Sequence, residues 1–337
     1  MSSRRLYVDT LGFLGDVGPP MFDDLTKKNA RDSGVRLFVM TTTWPMQNWK
    51  VTVQMHRQTV KSLNQHRDTF HIVRSALDLQ KVVDRNMIGV ILGMQDPGCI
   101  DDRLERVLQL YEEGIRVMQV AYQKKNLYGC GFQVESLDSG LTGTGRRFIE
   151  AVNQAGIILD LSHLSPQTAL DSITFSEGPT IISHTTARAV YQHPRGTSDD
   201  VLTEIAGLPH TLVGVLAMTF FLNPAADSLA PFIDHIRHIA ALVGPDKVAV
   251  GSDGPVGGFT NLVAARKIFY GKTQQMMDPN GDLRSRWPTH IPEIFDGPRG
   301  FDRIYQGLLP YLSRKDTEGI TGNNAWCFFS NHLPAAS

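Results

Sequence analysis

Short apolar runs recur along the chain and are separated by longer amphipathic stretches. The runs are LYVDTLG (6–12), VRLFVMTTT (35–43), MIGVILGMQ (87–95), IRVMQVAY (115–122), GIILDLSH (156–163), PTIISHTT (179–186), LVGVLAMTF (212–220) and KVAVGSD (247–253). They are rich in Val, Ile and Leu and lack a clean alternation of apolar and polar positions. That pattern predicts strands buried on both faces of a parallel sheet. Between them, residues 102–113 place Leu104, Val107, Leu108 and Tyr111 at helical spacing. Residues 143–155 do the same with Phe148, Val152 and Ala155, and Gly156 supplies the stop. A third helix is expected over 231–243, opening on Pro231 and ending before Gly244. Eight strands alternating with helices predict an α/β fold of the (β/α)8 TIM barrel type, with its active site at the C-terminal mouth of the strands. An open doubly wound sheet is the competing arrangement, but no GxGxxG follows the first strand.

Polar residues gather where the apolar runs stop. GIILDLSH ends in Asp160 and His163, PTIISH in His184, and KVAVGSD in Asp253. Imidazole and carboxylate groups on neighbouring strand ends suit Zn2+ or another first-row metal. Taken singly, each would be an ordinary hydrogen-bonded loop residue or helix cap. Their matching topological positions make them a candidate site. His235 and His238, three apart on the helix 231–243, read as surface or packing residues. Thr142, beside the glycines at 140, 143 and 145, reads as a helix cap, since no Lys-Ser/Thr follows to make a phosphate loop. Lys124 and Lys125 read as a solvated loop.

Composition narrows the partners. The 337 residues are 42% hydrophobic and 20% charged, with 33 basic against 34 acidic side chains and a net charge of -1. No field of either sign is available to gather nucleic acid or an anionic membrane. Three cysteines, Cys99, Cys130 and Cys327, contain no CxxC pair and cannot all be paired, which argues against a disulfide framework or a cysteine-rich zinc site. The arginines near the N-terminus are not followed by an apolar segment, because Asp9 interrupts it. The longest apolar stretches, 211–222 and 247–252, are too short to span a bilayer. A soluble, cytoplasmic protein is expected, built as a single barrel domain over 1–337 with a C-terminal helical segment at about 290–330.

The polar strand ends lie within longer motifs. In chain order these are Asp138-Ser-Gly-Leu-Thr142, Asp160-Leu-Ser-His-Leu-Ser165, Ile182-Ser-His-Thr-Thr-Ala-Arg188, His193-Pro-Arg195 with Asp199-Asp200, Gly251-Ser-Asp253 and Ile320-Thr-Gly-Asn-Asn-Ala325. This series resembles the membrane (renal) dipeptidase family, peptidase family M19, collinearly from about residue 6 to 330. The resemblance implies a metal-dependent-hydrolase barrel with a binuclear zinc site. In that family a His-x-Asp pair after the first strand and an Asp on the last strand hold one ion. Two mid-chain His hold the other, a Glu bridges both, and a hydroxide attacks the peptide carbonyl. A further His handles the substrate or the tetrahedral intermediate, and an Arg binds the substrate carboxylate.

Carried over residue by residue, the mid-chain ligands are His163 and His184, the last-strand ligand is Asp253, and the carboxylate-binding arginine is Arg195. The His-x-Asp pair should follow Asp9-Thr10, but Leu11-Gly12-Phe13 stands there. The bridging Glu should follow Met94, but Gln95 does, and the substrate His is replaced by Tyr122. Leu and Phe cannot ligate a metal, and a neutral amide bridges two dications poorly.

The expected chain is therefore a divergent member. It would hydrolyse a small dipeptide- or amino-acid-like carboxylate with one Zn2+, or another divalent first-row metal, or none. The expected metal ligands are His163, His184 and Asp253, with Gln95 as an optional fourth. Asp253 can instead act as a general base, Tyr122 as a hydrogen-bond donor to an oxyanion and substrate contact, and Arg195 as the carboxylate clamp. The alternatives are a non-catalytic ligand-binding protein and a lyase or isomerase on the same scaffold. A homodimer is expected, with Trp287-Pro-Thr-His-Ile-Pro292 and Phe301 offering apolar surface.

Overall fold

Parallel strands buried on both faces need a covering layer of helices outside and a packed interior inside. Both are present in the computed structural model, which describes residues 5–15, 23–223, 228–261 and 293–336. The strands are β1 (Tyr7–Phe13), β2 (Val35–Thr41), β3 (Phe70–Val73), β4 (Ile88–Met94), β5 (Ile115–Gln119), β6 (Ile158–Asp160), β7 (Thr180–Thr185), β8 (Thr211–Leu216), β9 (Val248–Gly251) and β10 (Gly254–Pro255). Eight of them form a closed parallel barrel in the order β1-β2-β4-β5-β6-β7-β8-β9, and Asp9 paired with Val250 joins the two ends.

The two remaining strands were not expected. β3 pairs with β4 through Phe70–Ile88 to Val73–Ile91, while β5 takes Leu92 to Met94 of β4. One edge of β4 is thus shared between a short inserted strand and the next barrel strand. The four residues of β3 were too short a run to stand out. β10 is a two-residue pairing with Gly12 and Phe13. The expected strands also ran past their real ends. β5 stops at Gln119, β6 at Asp160, and β9 at Gly251. Their polar tails leave the ladder as loops, where side chains are free to turn towards a common point.

Residues two apart along the strands fall into two packing layers. Val8, Leu37, Val39, Ile91, Val117, Ile158, Ile181, Leu212 and Ala249 belong to one cluster that fills the barrel. Phe38, Met40, Val90, Leu92, Met118, Leu159 and Ile182 belong to the other, between barrel and helices. The C-terminal helix Asn324–His332 contributes Ala325, Phe328 and Phe329 to the inner cluster and so closes the barrel floor. The motif 320–325 makes that contact. A side chain at Gly322 would put its Cβ 1.8 Å from the Leu6 carbonyl oxygen, and Asn324 Nδ2 donates to the carbonyls of Pro245 and Val248 at 2.8 Å.

The helical expectations hold in outline. Gly143–Ala155 is a helix capped by the Thr142 side chain, which accepts from Gly145 N, and it ends on left-handed Gly156. The first predicted helix is Glu105–Glu112; it buries Val107 and Leu110, while Leu108 is exposed. The third is Ala230–Val243. Its His235 is a packing residue, accepting from Ala187 N at 3.0 Å through Nδ1. Of the surface expected to support a dimer, 287–292 lies outside the described residues. Phe301 is buried against Tyr7, their ring centroids 5.5 Å apart, and offers no exposed patch. Among the described residues no helix is long and apolar enough to cross a membrane.

Candidate active site

The site grows from two adjacent strand ends. After β6 the chain turns through Leu161 and Ser162 to His163, whose φ of 69° is uncommon for a residue with a side chain. β7 carries Ser183 and His184. Asp160 ties these segments together. Its Oδ1 accepts from Ser162 N at 2.9 Å, Ser162 Oγ at 2.7 Å and Ser183 N at 3.0 Å. Its Oδ2 accepts from Ser183 Oγ at 2.6 Å and Gln119 Nε2 at 3.2 Å. With five donors around it, Asp160 is a strut rather than a free ligand. The strut brings His163 and His184 together, their Nε2 atoms 2.9 Å apart and both side chains buried. Burial, reinforced by the positive charge of Arg195, pushes both imidazoles well below their usual value, so both are neutral at pH 7.

Arg195 lies beneath the same mouth and is 3% exposed. Its Nη2 donates to the His184 carbonyl at 2.7 Å, and its main-chain N donates to His193 Nδ1 at 3.0 Å. Its Nε has no hydrogen-bond partner among the described residues. Burial lowers the guanidinium to about 10, and the negative charge of Asp253 opposes that fall. The group stays charged at neutral pH. The loop that carries it is held by Arg188, which donates to the carbonyls of Gly196 and Pro194 and pairs with Glu135 at 2.7 Å.

Tyr122, Gln95 and Asp253 complete the mouth. The Tyr122 ring lies 4.4 Å from that of His163, and burial pushes its phenol further up, so it remains a hydrogen-bond donor. Gln95 Nε2 donates to Thr41 Oγ1 at 2.9 Å. Asp253 takes a left-handed φ of 51°, and its main-chain N–H donates to the Leu11 carbonyl at 2.8 Å. Burial pushes its carboxyl up to about 7, against the pull of Arg195.

Among the described residues, no three His, Cys, Asp or Glu side chains are grouped so as to hold a metal, the expected set His163, His184 and Asp253 included. The imidazoles meet each other, whereas the charged group that acts on Asp253 is Arg195. Leu11 is buried in the inner cluster. Phe13 packs on Phe259 at 6.4 Å between centroids, and Phe259 on Phe295 at 6.0 Å. Apolar packing occupies the strand end where the resemblance would put a His-x-Asp pair. Behind it, buried Asp9 accepts from Leu11 N, Ser252 N and Ser252 Oγ, and burial raises its carboxyl to about 7.

Ser183 and Ser162 were missed as site residues. The sequence signal was present, a Ser directly preceding each of the two histidines, but serine in a loop has too many ordinary uses to stand out.

A sequence profile of the membrane dipeptidase family, peptidase family M19, matches residues 25–264. The chain belongs to that family. The dipeptidase verJ of Clonostachys rogersoniana is 26% identical over 195 residues, which cover 57% of this chain and 49% of that protein. The aligned part of this membrane dipeptidase family member spans no more than about half the length of the curated relatives it matches. An amidohydrolase structure from Pseudomonas aeruginosa superposes with a TM-score of 0.82 at 23% identity, covering 98% of this chain and 97% of that one. A metallopeptidase from Rhodobacter sphaeroides, solved with a phosphinate mimic of the dipeptide L-Ala-D-Ala, gives 0.77 at 16% identity, covering 98% and 100%. At these identities the likeness to solved structures concerns the barrel fold.

The zinc typical of the family can be tested against these donors. Leu11 and Phe13 offer no lone pair, and the Gln95 amide is neutral and already spends an N–H on Thr41. Catalytic zinc typically takes about three protein ligands, and among the described residues the two imidazoles converge without a third such ligand. The donor set does not fit a two-metal centre.

Proposed function

We propose that this membrane dipeptidase family member is a dipeptidase-like hydrolase with a reduced site, acting on a small dipeptide- or amino-acid-like carboxylate. The observation that carries the proposal is Arg195. A charged guanidinium is buried at the barrel mouth, near the negative charge of Asp253 but with its Nε lacking a hydrogen-bond partner among the described residues, and a buried donor left unpaired is costly. A substrate carboxylate supplies that acceptor. The Rhodobacter sphaeroides neighbour was solved with a mimic of a dipeptide, the substrate class proposed here.

In this reading the chain's own groups carry out amide hydrolysis. Asp253, with a carboxyl near 7, takes a proton from water as the water oxygen adds to the peptide carbon. Tyr122, kept protonated by burial, donates to the developing oxyanion. The C–N bond then breaks, and the proton passes to the leaving amine. The functional unit in this proposal is a homodimer free of nucleic acid.

The test combines elemental analysis of protein purified without chelator with a panel of dipeptides and their C-terminal amides, assayed with and without added Zn2+, Mn2+ or Fe2+. The expected result is turnover of free-carboxylate dipeptides but not amides, with no more than one metal per chain. Two metals per chain, or indifference to the free carboxylate, would overturn the reading. Calorimetric binding of the same dipeptides without any product would favour instead a binding-only protein, the outcome that the replacements Leu11, Phe13 and Gln95 themselves suggest.

A further inference from the structure

We propose that Asp160 and Ser183 set the proton positions of the histidine pair: His184 is held as the Nδ1–H tautomer, and in the metal-free protein His163 is the Nε2–H tautomer that donates to it. The inference deepens the reduced-site reading, on which its meaning for metal binding rests, but its geometry stands without substrate or metal.

Counting donors and acceptors along the chain of contacts leads to this assignment. A carboxylate only accepts hydrogen bonds. The Ser162 hydroxyl spends its proton on Asp160 Oδ1 at 2.7 Å, and the Ser183 hydroxyl spends its proton on Asp160 Oδ2 at 2.6 Å. The Ser183 oxygen then has only lone pairs to offer His184 Nδ1, 2.8 Å away. That contact is a hydrogen bond only if His184 Nδ1 carries the proton. A neutral imidazole holds one N–H, so His184 Nε2 is bare.

The bare nitrogen faces His163 Nε2 at 2.9 Å, and the proton in that contact has to come from His163. His163 Nδ1 is then the bare nitrogen of its ring. It is buried and has no hydrogen-bond partner among the described residues. The orphaned atom is what the assignment requires, since a proton on Nδ1 would leave a buried donor unpaired and place two bare Nε2 lone pairs against each other.

The pair is therefore prepared unequally. His184 already directs a lone pair towards the shared point, held there by a fixed partner on its other nitrogen, as ligating histidines commonly are. His163 blocks that point with a proton. A cation seeking both Nε2 atoms has to displace this proton, and His163 then has to carry one on Nδ1, where the described residues supply no acceptor. Asp160 and Ser183 are positioning residues in this scheme, acting on the site through His184.

Long-range 1H–15N correlation spectra of the full-length, metal-free protein at neutral pH read the tautomers directly. The expected pattern is a protonated Nδ1 and bare Nε2 for His184, and the reverse for His163. Ser183→Ala should remove the fixed tautomer of His184 and give a mixed or reversed pattern, with Ser183→Thr restoring it. Circular dichroism establishes that each variant is folded. If Ser183→Ala does not fold, the wild-type spectrum decides alone. A protonated Nε2 on His184 in the wild type, or an unchanged spectrum in a folded Ser183→Ala, would overturn the proposal. Failure of the hydrolase reading would appear as absent turnover with these spectra intact, so the two failures are separable.

Discussion

Arg195 fastens itself to the backbone of His184, donating from Nη2 to the His184 carbonyl at 2.7 Å. The guanidinium and the imidazole pair are thereby joined through the His184 backbone, with Nη2 committed to the protein and Nε without a partner among the described residues. Replacing Arg195 by Met keeps the volume and removes both the charge and the fork. Binding of free-carboxylate dipeptides should weaken by ~10²–10³-fold, the usual scale for losing one partner of a buried charged hydrogen bond. Binding of the corresponding amides should change little. Arg195→Lys should recover only part of the loss, because an ammonium cannot hold the His184 carbonyl and a carboxylate in one plane. Calorimetric titration of both variants with both ligand series checks this.

Asp253 should govern the rate profile. Its carboxyl, raised to about 7 by burial, must be ionised to accept a proton from water. The value of kcat/KM should therefore rise with pH through about 7 and then level. Asp253→Asn should flatten the profile and lower the rate by ~10²–10⁴-fold, the common range for a lost general base.

Asp9 affects stability with a sign opposite to that of most carboxylates. Its folded value, about 7, lies above the ordinary 3.8, so the folded protein binds the proton more tightly than the unfolded chain. That contribution is fully present below pH ~4 and is lost as pH rises through about 7. The two lowered imidazoles work the other way, gaining stability as pH rises through their usual range. Asp9→Asn isolates the carboxyl. Between pH 5 and 8 the Tm of the wild type should fall relative to that of the variant. A constant difference across that range would contradict this assignment.

Restoring the donors tests the proposed reduced site. Leu11 is 3% exposed within the barrel core, so Leu11→His places an imidazole in an apolar setting. Combined with Phe13→Asp and Gln95→Glu, it should cost ~2–5 kcal/mol in the metal-free protein, seen as a lower Tm. Added Zn2+ should recover most of that Tm, and elemental analysis should show more metal per chain than in the wild type. A triple variant that takes up no additional zinc would show that the mouth cannot accept the ion even with the ligands present.

Much of this architecture follows from local pattern. Unalternating Val, Ile and Leu runs, with polar residues at their C-terminal ends, describe barrel strands buried on both faces and place chemistry at the mouth. The four replacements at Leu11, Phe13, Gln95 and Tyr122 are visible against the family resemblance: the Leu11 and Phe13 side chains have no lone pair to give a metal wherever they fold, and Gln95 and Tyr122 stand where a carboxylate and an imidazole are expected. β3 was not legible, since four residues carry too little periodicity and their place is set by a free edge on β4.

What only the tertiary structure decided is which polar groups meet. Asp160 and the two histidines look alike as strand-end donors in the sequence, yet Asp160 is saturated by five hydrogen bonds while His163 and His184 face each other. Asp253 has Arg195 rather than the imidazoles as its charged neighbour. Such pairings depend on distances of a few tenths of an ångström between residues far apart in the chain. Strand register and loop turns set those distances, and the sequence spacing of the residues does not contain them.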